Sequence, residues 1–149
     1  MANSLTKHIP NALTSCNLMS GCVAIVFALS ANYSMALTFI VVGAVFDFFD
    51  GMSARLLGVS SPIGKELDSL ADVVTFGVAP SMMIYTILLT IDKTGYNDIL
   101  AAAAPYVAFV MAAFSAIRLA KFNLDERQTT SFIGLPTPAN ALFWGALIV

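Results

Sequence analysis

The sequence predicts an all-α integral membrane protein, a polytopic bundle of transmembrane helices. Two observations carry the prediction. Of the 149 residues, 58% are hydrophobic and only 11% charged, against ~25% charged in an average soluble domain. The apolar residues also gather into segments as long as a bilayer is thick, since ~20 residues of helix cross ~30 Å of hydrocarbon. With no internal repeat, low-complexity tract or linker, residues 1–149 read as one transmembrane domain.

The first span covers residues 13–31 and is preceded by the polar stretch TKHIPNALTSCN, in which Pro10 suits a helix entry and His8 an interfacial position. Lys7 before it and the stretch ALS at residues 28–30, with small Ala28 and Ser30 as at a cleavage site, resemble a secretory leader, but three further spans follow, which favours a membrane helix. Cys16 and Cys22 both fall within this span, where thiols act as small hydrophobes, so no disulfide or zinc framework is expected. A turn at residues 31–34 (ANYS) leads to the second span, residues 35–57, and residues 58–61 (GVSS) lead to the third, residues 62–91. Ser61 is an N-cap candidate, and Pro62 sits where a missing N–H is harmless. At about 45 Å the third span should project beyond the hydrocarbon, with a kink near Gly77 and Pro80. A polar loop at residues 92–98 precedes the fourth span, residues 100–122, and a polar connection at 123–138 follows it. A fifth apolar run covers residues 138–149, only about 16–18 Å of helix, and is expected to be an incomplete span. The Phe and Met residues along the spans are expected to face lipid or pack between helices.

Lys and Arg set the orientation. With the N-terminus in the cytoplasm, Lys7, Arg55, Lys65, Arg118, Lys121 and Arg127 all fall on the cytoplasmic side and Lys93 alone outside. The net charge of −2 and the lack of a basic tract give no sign of a nucleic-acid partner.

Against this apolar background, residues 45–72 carry four aspartates and an arginine on two adjacent spans. Asp47, Asp50, Gly51, Ala54 and Arg55 share one helical face, and Gly64, Asp68 and Asp72 share one face of the next. The short turn between them should make the two helices antiparallel neighbours, with their carboxylates facing each other. The small residues Gly51, Ala54 and Gly64 allow close backbone approach or leave a groove for a ligand. Helix-end acids are commonly just solvated, but Asp47 lies ten residues, about 15 Å of helix, from Leu57, which places it inside the membrane slab. Arg55 can answer one or two of the carboxylates; the remainder suits a hard divalent cation, Mg²⁺ or Mn²⁺, completed by substrate phosphates. Such a cluster serves phosphoryl-type transfer, with a spare carboxylate taking a proton from an attacking hydroxyl. A channel or proton-coupled transporter is the reading from another class, but it calls for acids spread through the membrane depth, whereas these open to one side.

Written out, the stretch is DxxDGxxAR, eight residues, then GxxxDxxxD. It resembles the signature of the CDP-alcohol phosphatidyltransferases, membrane enzymes of phospholipid biosynthesis that move a substituted phosphate from a CDP-linked donor to an alcohol. The resemblance implies a core of six transmembrane helices, often dimeric, with a cytoplasmic site; here the core would be cut short in the fifth helix. It further implies that Asp47, Asp50 and Asp68 ligate metal, that Asp72 contributes to that site and acts as general base, and that Gly51, Ala54 and Gly64 make room for the cytidine diphosphate, with Arg55 supporting the cluster or the phosphates. IPNALTSCNLMSG from Ile9, IRLAKFN from Ile117 and FIGLPTPAN from Phe132 resemble the serine-using branch, which makes CDP-diacylglycerol and L-serine the expected substrates and glycerol 3-phosphate or inositol the alternative acceptors. Arg118, Lys121 and Asn123 are candidates for binding serine or phosphate, with positive-inside anchoring as the plainer account of the two cations. Asn11, Thr14 and Asn17 lie at i, i+3 and i+6 and either bond the nucleotide or cap the helix.

Overall fold

The computed structural model describes residues 8–59, 61–91, 98–124 and 136–149. Helix α1 is Ile9–Leu29 and α2 is Tyr33–Leu57; α3, Pro62–Asp72, runs through a π-helical turn, Val73–Val78, into α4, Ala79–Thr90. A short α5, Asp98–Ala103, passes through a 3₁₀ turn, Ala104–Ala108, into α6, Phe109–Leu124, and α7 is Thr137–Ile148. Four stretches are long and apolar enough to cross a membrane: Ile9–Leu29, Tyr33–Leu57, Pro62–Thr90 and Asp98–Leu124. Most of the 92–98 loop, most of the 123–138 connection, and Lys7, Lys93 and Arg127 of the orientation argument lie outside the described residues.

Local chemistry accounts for the boundaries. Pro10 opens the first turn of α1, four residues earlier than the apolar run alone suggested. Asn32 caps α2 by accepting from the Met35 amide at 3.2 Å, and Gly58 ends it in the left-handed region, φ 61°, where a side chain would be strained. Ser61 is extended and caps α3 by accepting from the Gly64 amide at 3.0 Å, with Pro62 in the first turn.

The irregularity expected near Gly77 and Pro80 takes the form of the π turn just before Pro80. Proline has no N–H, and its ring would press on the Phe76 carbonyl of a regular helix; a wider turn relieves both. Ser81 Oγ donates to the Gly77 carbonyl at 2.7 Å, satisfying an acceptor within that turn. In the fourth span the structure departs from the single helix expected over 100–122: Pro105 tightens the chain into the 3₁₀ turn between α5 and α6.

The core lies between α1, α2, α4, α7 and the π turn, where Ala24, Ala28, Ala36, Ile40, Phe76, Ala79, Met83 and Ala141 are wholly buried. Phe27 and Phe39 stack at 5.5 Å beside it. Lipid does not drive apolar faces together, so close packing of small residues does that work here.

The hairpin of α2 and α3 differs from expectation. Their backbones come close at few positions, α1 packs against both, and carboxylates from the two helices meet in the space between. Hence the acids face each other across an opening rather than across a packed seam.

Candidate active site

Asp47 and Asp50 project from α2, and Asp68 and Asp72 from α3, into one cavity of about 930 Å³. One carboxylate oxygen each from Asp47, Asp50 and Asp68 lies within 4.8 Å of the other two. Asp50 and Asp72 are the most buried of the four, at 5% and 8% exposure. No ion pair joins Arg55 to any of these carboxylates among the described residues. Arg55 does line the cavity, with Lys65, Arg118, Lys121 and Asn123, so acids and cations share one space.

A divalent cation fits this donor set. Asp68 Oδ1 is buried and has no hydrogen-bond partner, three carboxylates converge within one coordination shell's width, and all donors are hard oxygens with neither His nor Cys among them. An uncompensated cluster of this kind would carry a large desolvation and repulsion penalty.

Helix α1 supports the acids from behind. Thr14 Oγ1 lies 2.5 Å from Asp50 Oδ2 and 3.0 Å from the Pro10 carbonyl; its one proton favours the carboxylate, the stronger acceptor. Asn17 Nδ2 donates to Asp72 Oδ1 at 3.2 Å. Neither residue lines the cavity, and Asn11 does not either. Thr14 and Asn17 thus direct their polar groups at the signature aspartates. Asn11 Oδ1 would lie 3.1 Å from a Cβ at Gly64, so that glycine admits α1. Ala54 and Gly64 are also absent from the cavity wall, whereas Gly51 lines it.

At the far wall, Asn123 Nδ2 donates to Ser69 Oγ at 2.7 Å and Lys65 Nζ donates to the Asn123 carbonyl at 3.1 Å. Asn123 thus ties the end of α6 to the turn of α3 that carries Asp68. Ser69, Thr137 and the apolar Phe48, Met52, Leu56, Phe114 and Ile117 complete much of the lining. From sequence, Phe48, Met52 and Phe114 are expected to face lipid or pack between helices, Ile117 and Thr137 are placed only within the stretches IRLAKFN and FIGLPTPAN, and Ser69 and Leu56 have no assigned role; the tertiary arrangement brings them to the cavity.

Residues 7–149 match the family model described as CDP-alcohol phosphatidyltransferase. The chain belongs to that family. Within it, the chain is 40% identical over 136 residues to the CDP-diacylglycerol–serine O-phosphatidyltransferase of Bacillus subtilis, covering 89% of this chain and 70% of that one. The enzymes of the same name from Helicobacter pylori J99 and Methanocaldococcus jannaschii are 41% and 36% identical, over 89% and 90% of this chain. The chain spans 54% and 57% of their respective lengths. No solved structure matches it.

Proposed function

We propose that this protein transfers the phosphatidyl group of CDP-diacylglycerol to the hydroxyl of L-serine, releasing CMP and phosphatidylserine. The observation that carries the reading is that all four signature aspartates and the cations of α6 line one cavity, in a chain whose relatives are named for this reaction.

Asp47, Asp50 and Asp68, with Asp72 contributing, would hold Mg²⁺ or Mn²⁺, which when bound neutralises oxygens of the donor diphosphate. Asp72 takes the proton of the serine hydroxyl. The serine oxygen forms its bond to the lipid-side phosphorus as the bond from that phosphorus to the oxygen of the CMP phosphate breaks, and CMP leaves with the electron pair. Direct displacement suffices, since the cluster contains no activated nucleophile. Arg118 and Lys121 are placed to receive the serine carboxylate or a phosphate oxygen. Gly51 leaves the wall low beside the acids, where the cytidine diphosphate would lie, and Arg55 offers a charge to its phosphates. Phe48, Leu56, Phe114 and Ile117 line the cavity and are at least half exposed, which suits a donor arriving sideways from the bilayer. Cytoplasmic placement of the N-terminus and site, and assembly as a homodimer, belong to the same reading; the distribution of Lys and Arg supports the first and the family resemblance the second.

The test is transfer from CDP-diacylglycerol to labelled serine, glycerol 3-phosphate or inositol by the detergent-solubilised protein with Mg²⁺ or Mn²⁺. Phosphatidylserine as the main product is expected. Product from another acceptor and none from serine overturns the serine assignment, and ion flux in liposomes without any transfer overturns the enzyme.

A further inference from the structure

Asn17 is wholly buried and outside the cavity wall, yet it is bonded at both ends of its structure to the chain around Asp72. Its side-chain amide donates to Asp72 Oδ1 at 3.2 Å, and its backbone carbonyl accepts from Thr75 Oγ1 at 3.0 Å. Thr75 belongs to the π turn that begins directly after Asp72. A closed ring results: Asn17 carbonyl, Thr75 hydroxyl, the chain back to Asp72, its carboxylate, and the Asn17 amide.

Two further observations point beyond simple packing. Asn17 Oδ1 is buried with no hydrogen-bond partner; a missing bond of this kind costs about 1–3 kcal/mol, and it accompanies the orientation that aims Nδ2 at Asp72. Thr75 in turn is wedged between two glycines of other helices. A Cβ at Gly43 would lie 2.5 Å from Thr75 Cγ2, and one at Gly21 would meet Thr75 Oγ1 and lie 2.8 Å from its Cα. The hydroxyl that holds the Asn17 carbonyl therefore has little freedom to move.

We infer that Asn17 and Thr75 are positioning residues for the reaction, setting the Asp72 carboxylate so that Oδ1 is held by the protein and Oδ2 receives the proton of the acceptor. This rests on the proposed role of Asp72. It gives α1, which carries none of the signature aspartates, a defined part in catalysis.

A double-mutant cycle on the purified protein, read as serine transfer, tests it. Asn17→Leu fills the site without a donor, and Thr75→Val keeps the methyl against Gly43 without the hydroxyl. Each should lower kcat, Asn17→Leu by about 10–100-fold as for other residues that orient a catalytic group and Thr75→Val by less, with KM for both substrates within threefold of the parent. Asn17→Gln, which restores a donor, should recover part of the loss. In an Asp72→Asn background, neither substitution should slow the enzyme further. Additive losses in that background, or unchanged kcat in both single variants, overturn the inference. If Asn17→Leu fails to fold, the Thr75→Val arm decides it by the same criterion. Wild-type rates in Asp72→Asn alone overturn the general-base assignment instead, so the two failures are distinguishable.

Discussion

One stripe of α1 behaves differently at its two ends. Apart from Ser20 beside Gly21, its buried positions Pro10, Thr14, Asn17, Gly21, Ala24 and Ala28 recur at alternating intervals of four and three residues, the spacing of a helix seam. The later half, Gly21 to Ala28, is small, and there α1 joins the buried core with Ala36, Ile40, Phe76 and Met83. The earlier half is polar, and there α2 and α3 stand apart while Thr14 and Asn17 hold Asp50 and Asp72. Small side chains let helices close; hydrogen-bonding ones replace closure with a cavity of fixed outline. The apolar half is held by its own packing, whereas the acidic half gathers carboxylates that could hold a divalent cation.

The sharpest way to break that contrast is to remove divalent cations. Chelation should reduce transfer to background while leaving helix content by circular dichroism unchanged, because the apolar half holds the bundle together. Mg²⁺ or Mn²⁺ should restore transfer, and Ca²⁺ should restore less, since its longer bonds and higher coordination number fit a compact three-carboxylate set less well. Loss of helix content on chelation would show that the acidic half carries stability as well as chemistry.

How far the two halves could be read from sequence follows from the range of the interactions involved. The spans, the Ser61 cap and the shared faces of the aspartates are local, set by length and helical period over a few residues. The spacing of Thr14 and Asn17 was visible too, but which way α1 turns that face depends on α2 and α3, and so their partners were not. Nothing near Thr75 in sequence announces that Gly21 and Gly43, more than 30 residues away, clear a slot for it. Likewise Gly77 and Pro80 mark an irregularity, but only the packed structure puts the wider turn before the proline, beside Asp72.

A smaller effect is expected at the seam between the halves. Gly21→Ala places a methyl against the backbone as well as the side chain of Thr75. The π turn must shift, and overpacking of this kind costs about 1–3 kcal/mol. A fall of several degrees in the detergent melting temperature is expected, together with a lower kcat, because Thr75 leads back to Asp72. Lower stability with kcat unchanged would uncouple the seam from the site.

The smallest effect belongs to the apolar half alone. A Cβ at Gly145 of α7 would come within 2.5 Å of Leu37 Cδ1, a crowding as close in distance as that at Gly43. The atom met, however, is the tip of a half-buried leucine, whose Cγ is already 3.6 Å away. Rotation of one side-chain torsion relieves the contact, at about 0.5–1.5 kcal/mol if it leaves its preferred rotamer, and no hydrogen bond to the acids passes through it. Gly145→Ala should therefore lower the melting temperature slightly and leave both kcat and KM at parental values. A kinetic effect as large as that of Gly21→Ala would mean that α7 transmits strain to the cavity through Thr137 and Pro138 at its own N-terminal end, both of which line it. The division between a packing half and a chemical half would then fail at this helix.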